Sequence, residues 1–152
     1  MSGRNRSGFT LLELLVVMIV MGILATLATF RFTDAKNRAI AAQATSDMET
    51  VRLSAYSRYY ETGVWPSDAP PGTVPAELTP YLVNGFPFNR PDYTLQFENN
   101  LPGNTPYEVA VRLTTTNQRL LNTLINGVGK RQPYIVEGNA LVVVLVGPDG
   151  QT

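Results

Sequence analysis

Residues Phe9 to Phe30, FTLLELLVVMIVMGILATLATF, restrict the fold more than any other stretch. They contain no proline and a single charged side chain, Glu13. At about 1.5 Å per residue these residues span about 33 Å as a helix, close to the hydrocarbon thickness of a bilayer. A short basic leader, Met1 to Gly8, carries Arg4 and Arg6 ahead of them. Three segment types share this outline. A secretory signal has a basic start, an apolar run and then small residues at its cleavage site, but Ala25 and Ala28 do not form an A-x-A pair. A plain single-span anchor leaves Glu13 without a use, since a carboxylate deep in a bilayer costs about 2.5 to 3.5 kcal/mol. In a third type the acid has a partner.

That third type rests on particular residues. The run Gly8-Phe9-Thr10-Leu11-Leu12-Glu13-Leu14 resembles the class III signal of type IV pilins and type II secretion pseudopilins. The resemblance implies that a prepilin peptidase/methyltransferase cuts between Gly8 and Phe9 and methylates the new amino-terminal Phe9. The apolar helix is then retained. In a staggered stack of such helices the amine of Phe9 on one copy meets Glu13 of the next, and paired ions tolerate an apolar medium far better than a lone one. Gly22, with Ala25, Thr26 and Thr29 at spacings of three and four, gives a small-residue face for close helix packing. The expected assembly residues are therefore Phe9, Glu13 and Gly22.

Beyond the span, residues 33 to 62 lack proline and glycine. Ala41, Ala44, Met48, Val51, Ala55 and Tyr59 recur every three or four positions as one apolar stripe, with Asp34, Lys36, Arg38, Asp47, Glu49 and Arg52 mostly off it. Gly63 is the expected stop, followed by Pro66. The spacing thus predicts one helix of about 50 residues, about 75 Å long, apolar all round in its first half and amphipathic in its second.

Residues 63 to 91 are rich in proline and read as an irregular loop with one helical turn near Pro75 to Leu82. Trp65, Tyr81, Phe86 and Phe88 within it point to a loop folded down on the helix and sheet. Tyr93 to Glu98 and Tyr107 to Leu113 alternate apolar and polar residues, with Pro102-Gly103-Asn104 between them, and predict an antiparallel hairpin. Thr115 to Asn126 predicts a helix whose cap is Thr115 or Thr116, with Leu120, Leu121, Leu124 and Ile125 as its apolar face. Tyr134 to Val136 and Ala140 to Val146 predict a second hairpin. Residues 141 to 146 are apolar throughout, so that strand should be central and covered on both faces.

The expected fold is α+β and pilin-like: one long amino-terminal helix, transmembrane in its first half, packed on a small antiparallel sheet. Its parts are a leader (1–8), a transmembrane and filament-core half (9–30), an amphipathic half (31–62) and a loop-plus-sheet region (63–152). Three features depart from the family outline: no cysteine pair, no proline before Pro66, and a helix inserted between two strands.

The chain has neither cysteine nor histidine, which removes the commonest general base and the commonest metal ligands. No phosphate-cradling glycine loop or nucleophile elbow is present. Asp68, Asp92 and Asp149 lie in loops without a recognisable calcium-ligand spacing, and read as solvated acids. No catalytic residue, metal or cofactor is expected. The 12 basic and 12 acidic residues balance, and loss of the leader leaves 10 against 12, so an overall basic field for nucleic acid is missing. Arg4 and Arg6 before the span keep the start of the chain cytoplasmic, a bias diluted by Arg31, Lys36 and Arg38 beyond it.

The resemblance implies a single-pass inner-membrane protein with a periplasmic globular part. It implies a structural subunit of a type IV pilus or a type II secretion pseudopilus, extracellular in the former case. Small size and a cysteine-free carboxyl end lean toward the latter. The implied partners are the peptidase, further copies of the chain, related pilin-like subunits and an inner-membrane assembly platform. The competing reading is a membrane-tethered module that holds a secreted substrate, a sugar or DNA through the aromatic loop or through Arg112, Arg119, Lys130 and Arg131.

Overall fold

A computed structural model of the chain describes residues 9–101, 106–128, 132–148 and 150. The leader with Gly8, the turn at Pro102-Gly103-Asn104, the pair Lys130 and Arg131, and Asp149 lie outside the described residues. The element order is α1 (Leu11–Thr62), a 3-10 helix (Ala76–Tyr81), β1 (Thr94–Asn99), β2 (Val109–Thr114), α2 (Gln118–Val128), β3 (Tyr134–Glu137) and β4 (Ala140–Val146). The chain divides into two compact units between Lys36 and Asn37.

In the first unit α1 begins at a cap. Thr10 Oγ1 accepts the Glu13 backbone N–H at 3.2 Å, and the Thr10 carbonyl accepts the N–H groups of Glu13 and Leu14. Thr-x-x-Glu is the spacing of a capping box, and an acid in the first turn also suits the positive end of the helix dipole. The apolar side chains that follow stand in the open: Leu11 is 89% exposed, Met18 74% and Phe32 73%. Thr26, Thr29 and Thr33 donate their hydroxyls to the carbonyls of Gly22, Ala25 and Thr29, so these three hydroxyls are satisfied within the helix.

The second unit holds the hydrophobic core. Ala41, Ala44, Met48, Val51 and Ala55 on α1 are buried, as the stripe predicts, while Tyr59 at its end is partly open. The helix stops where expected. Gly63 takes φ 70, a conformation that costs a side-chain-bearing residue steric strain, and donates its N–H to the Tyr59 carbonyl at 2.8 Å.

The strands form one antiparallel sheet in the order β1-β2-β4-β3. Leu95 and Phe97 of β1, Val109, Val111 and Leu113 of β2, and Leu141, Val143 and Leu145 of β4 share the core with the α1 stripe. β4 is central, as its unbroken apolar run predicts. Its inner face meets the core, while on the outer face Val142 packs with Tyr107 and Ala110, and Ile135 and Val144 pack partly exposed around them. The β3–β4 connection turns at Gly138, with φ 60, which suits a tight hairpin.

Trp65, Leu78, Leu82 and Phe88 are buried in the core, and Phe86 packs partly exposed against it, so the proline-rich loop is folded down as its aromatics predict. Ala69 and Gly72 donate to the carbonyls of Phe97 and Leu95, which closes the β1 edge. The inserted helix forms, with Leu120, Leu121 and Leu124 buried, but its cap differs from expectation. Asn117, not Thr115 or Thr116, accepts the N–H groups of Arg119 and Leu120 at 3.1 and 3.2 Å. Thr115 turns inward instead and donates to the Asp92 carbonyl at 2.7 Å.

Candidate processing and assembly site

Two of the expected assembly residues are described in detail by the first unit. Glu13 occupies the third position of α1, exposed, and makes no ion pair among the described residues. The capping-box spacing and the helix dipole suit an acid here, and its carboxylate is left on the surface beside apolar side chains. Gly22 is open: a Cβ added there would meet nothing within 4 Å. Among the described residues no close approach requires its smallness. Phe9 is 78% exposed, and Gly8, its partner in the expected cleavage site, lies outside the described residues. By length and composition α1 suffices to cross a membrane, and its most apolar 18-residue window is entirely unburied.

The second unit ties its charges down. Asp47 is 7% exposed on α1, where it accepts Arg90 Nε at 2.7 Å and the Tyr93 hydroxyl at 2.6 Å. Burial, together with the bond to Asp47, raises the Tyr93 pKa strongly, so the phenol stays a donor. The alternation pattern sets Asp47 off the apolar stripe; the fold buries it because Arg90 and Tyr93 arrive from the loop and the start of the sheet.

On the outer sheet face Arg112 binds Glu98 and reaches Glu137 at 2.7 Å, with its second nitrogen 2.8 Å from the Tyr107 hydroxyl. Burial alone would lower the Arg112 pKa, but the two carboxylates outweigh it and hold the guanidinium charged. Burial and the bond to Glu98 push Tyr107 up to about 12. Arg112 is therefore an internal tie of the sheet, and Arg119 on α2 is exposed. Lys130 and Arg131, the other members of that expected group, lie outside the described residues. Glu49, Arg52 and Gln132 border a groove of about 560 Å³ beside β4. The bond from Arg52 lowers the Glu49 pKa and outweighs the effect of burial. Among the described residues no group of three or more acidic side chains is placed to hold a metal ion.

Residues 3–29 match the family model of the prokaryotic N-terminal methylation motif. The chain is 34% identical over 69 residues to the type IV major pilin protein PilE1 of Neisseria gonorrhoeae, a match that covers 45% of this chain and 32% of that protein. It is 34% identical over 80 residues to the fimbrial protein EcpC of Eikenella corrodens, covering 52% of each. The aligned parts thus span from a third to about half of these relatives' lengths. No solved structure gives a significant match. The methylation motif at the head of α1, the partial similarity to type IV pilins and the α+β fold together make this chain similar to type IV pilins.

Proposed function

We propose that the chain is a structural subunit, not an enzyme, of a type IV pilus-like filament, either a pilus or a type II secretion pseudopilus. Its leader is removed between Gly8 and Phe9, Phe9 is methylated, and the apolar part of α1 first holds the subunit in the inner membrane with the sheet unit outside the cytoplasm. The same surface then packs against other copies and related subunits in the filament core, with an inner-membrane platform driving the transfer. The observation that carries this reading is the Glu13 carboxylate, which has no ion pair among the described residues, at the head of the exposed apolar part of α1. A lone acid there costs about 2.5 to 3.5 kcal/mol in hydrocarbon, and a positive amine from an adjacent subunit offsets that cost.

Mass spectrometry of the protein from its native membrane tests the reading directly. The expected mature chain starts at methylated Phe9, and substitution of Gly8 by a bulky residue leaves uncut precursor. A chain that still begins at Met1 in cells carrying the peptidase overturns the proposal.

A further inference from the structure

Four aromatic rings gather where α1 ends. Tyr59 stacks on Trp65 with ring centroids 4.4 Å apart and 14° between the planes. Tyr56 meets Trp65 edge-on at 5.2 Å and lies 6.3 Å from Tyr60. The left-handed turn at Gly63 reverses the chain and lets Trp65 fold back on the helix. Beside the rings opens a cleft of about 500 Å³, bordered also by Val64 and Glu108. That volume falls within the range of small-ligand sites.

Packing accounts for only part of this cluster. Trp65 is 8% exposed and belongs to the core, whereas Tyr60 is 82% exposed and Val64 59%. The Tyr60 ring lies 6.3 Å from the rings of Tyr56 and Tyr59, and most of its surface is left in water beside the cleft.

The groups that line the cleft are predominantly negative in sign. Ring faces carry the negative part of the aromatic quadrupole. The carbonyl end of α1 is the negative end of its dipole, and the last turn contains no basic residue. Glu108 is half-buried and has neither an ion pair nor a side-chain hydrogen bond among the described residues. The nearby cations are both engaged: Arg58 donates to the carbonyl of Val64 at the border of the cleft, and Arg52 pairs with Glu49. Arg52 also lies 5.9 Å from the Tyr56 ring centroid, so one ring of the cluster already attracts a cation within the fold.

We propose that this cleft binds a methylated ammonium group, which rests against the open tyrosine rings with Glu108 as its counter-charge. The group is either a free quaternary ammonium solute or the headgroup of a phosphocholine. The inference does not depend on the filament reading, since every residue it uses lies in the second unit.

Trp65 is the sole tryptophan of the chain and borders the cleft, so its fluorescence reports occupancy. The full-length chain in maltoside micelles is titrated with choline chloride, with phosphocholine, with the neutral isostere 3,3-dimethylbutan-1-ol, and with sodium chloride at matched ionic strength. Choline is expected to give a saturable change in emission, at least about tenfold tighter than the neutral isostere. Tyr60→Ala and Glu108→Gln are each expected to weaken it about tenfold with an unchanged circular dichroism spectrum. Tighter binding of phosphocholine than of choline identifies the headgroup as the source, and the reverse identifies the free solute. Equal binding of choline and its neutral isostere, an effect reproduced by sodium chloride, no saturable change with either ammonium probe, or full binding by Glu108→Gln overturns the proposal.

Discussion

Arg90 Nε lies 2.7 Å from Asp47 Oδ2 and joins the proline-rich loop to a helix position 43 residues earlier in the chain. Tyr93 donates to the same carboxylate oxygen, so one acid on α1 anchors both the loop and the residue that leads into β1. The pair is mostly buried, with side-chain exposures of 26% and 10%. Removing either partner leaves the other short of a charged hydrogen bond.

For that reason Asp47→Asn and Arg90→Met are each expected to lower unfolding stability by about 1 to 3 kcal/mol. Chemical denaturation of the full chain in detergent, followed by Trp65 emission, measures the loss. The double variant should lose less than the sum of the two. Strict additivity would show that the contact carries no coupling.

Alkaline pH should loosen the outer sheet face. Tyr107 ordinarily ionises near 10 and is held up to about 12 by burial and by Glu98. A raised folded value means that the unfolded chain loses this proton first. Stability from this group is therefore complete below pH 10 and declines as pH rises from 10 through about 12. Tyr107→Phe cannot ionise there, and its melting temperature should fall less steeply across that window.

The cap of α2 gives a sharper test of local structure. Asn117→Ala removes the acceptor for two backbone N–H groups and also the bond to Asn37 on α1, with an expected cost of about 1 to 2 kcal/mol. Thr116→Ala, at an exposed position, should change stability by less than about 0.5 kcal/mol. Equal effects from the two substitutions would assign the cap wrongly.

On the filament reading proposed above, Glu13 has two separable roles. Its backbone N–H belongs to the Thr10 cap, and its carboxylate meets a neighbouring subunit. Glutamine is accepted at the third helical position as readily as glutamate, so Glu13→Gln preserves the start of α1 while it deletes the charge. The variant should be cut and methylated normally and yet yield few filaments by electron microscopy. Filaments at the normal number and length would remove the intersubunit ion pair from the mechanism.

Much of the architecture was legible in local pattern. The stripe from Ala41 to Ala55 announced the buried face of α1, Gly63 its end, and the unbroken apolar run of β4 its central place. Each depends on neighbours within a few positions: a helical or strand period, or a glycine free to take positive φ. The methylation motif over residues 3–29 is equally local, since it is a linear segment that needs no tertiary contact to be recognised. The α2 cap was misplaced by one or two residues, since threonine and asparagine both make good caps and only the path of the chain selects between them.

The sequence by itself therefore determined the elements, the apolar span and the resemblance to type IV pilins. Tertiary structure alone decided that Asp47 is buried, that Arg112 holds the sheet together instead of facing a partner, and that Tyr56, Tyr59, Tyr60, Trp65 and Glu108 border one cleft. These outcomes join residues far apart in the chain. Periodicity carries no information about such pairs, whereas the cost of leaving a buried charge unpaired does select among folded arrangements.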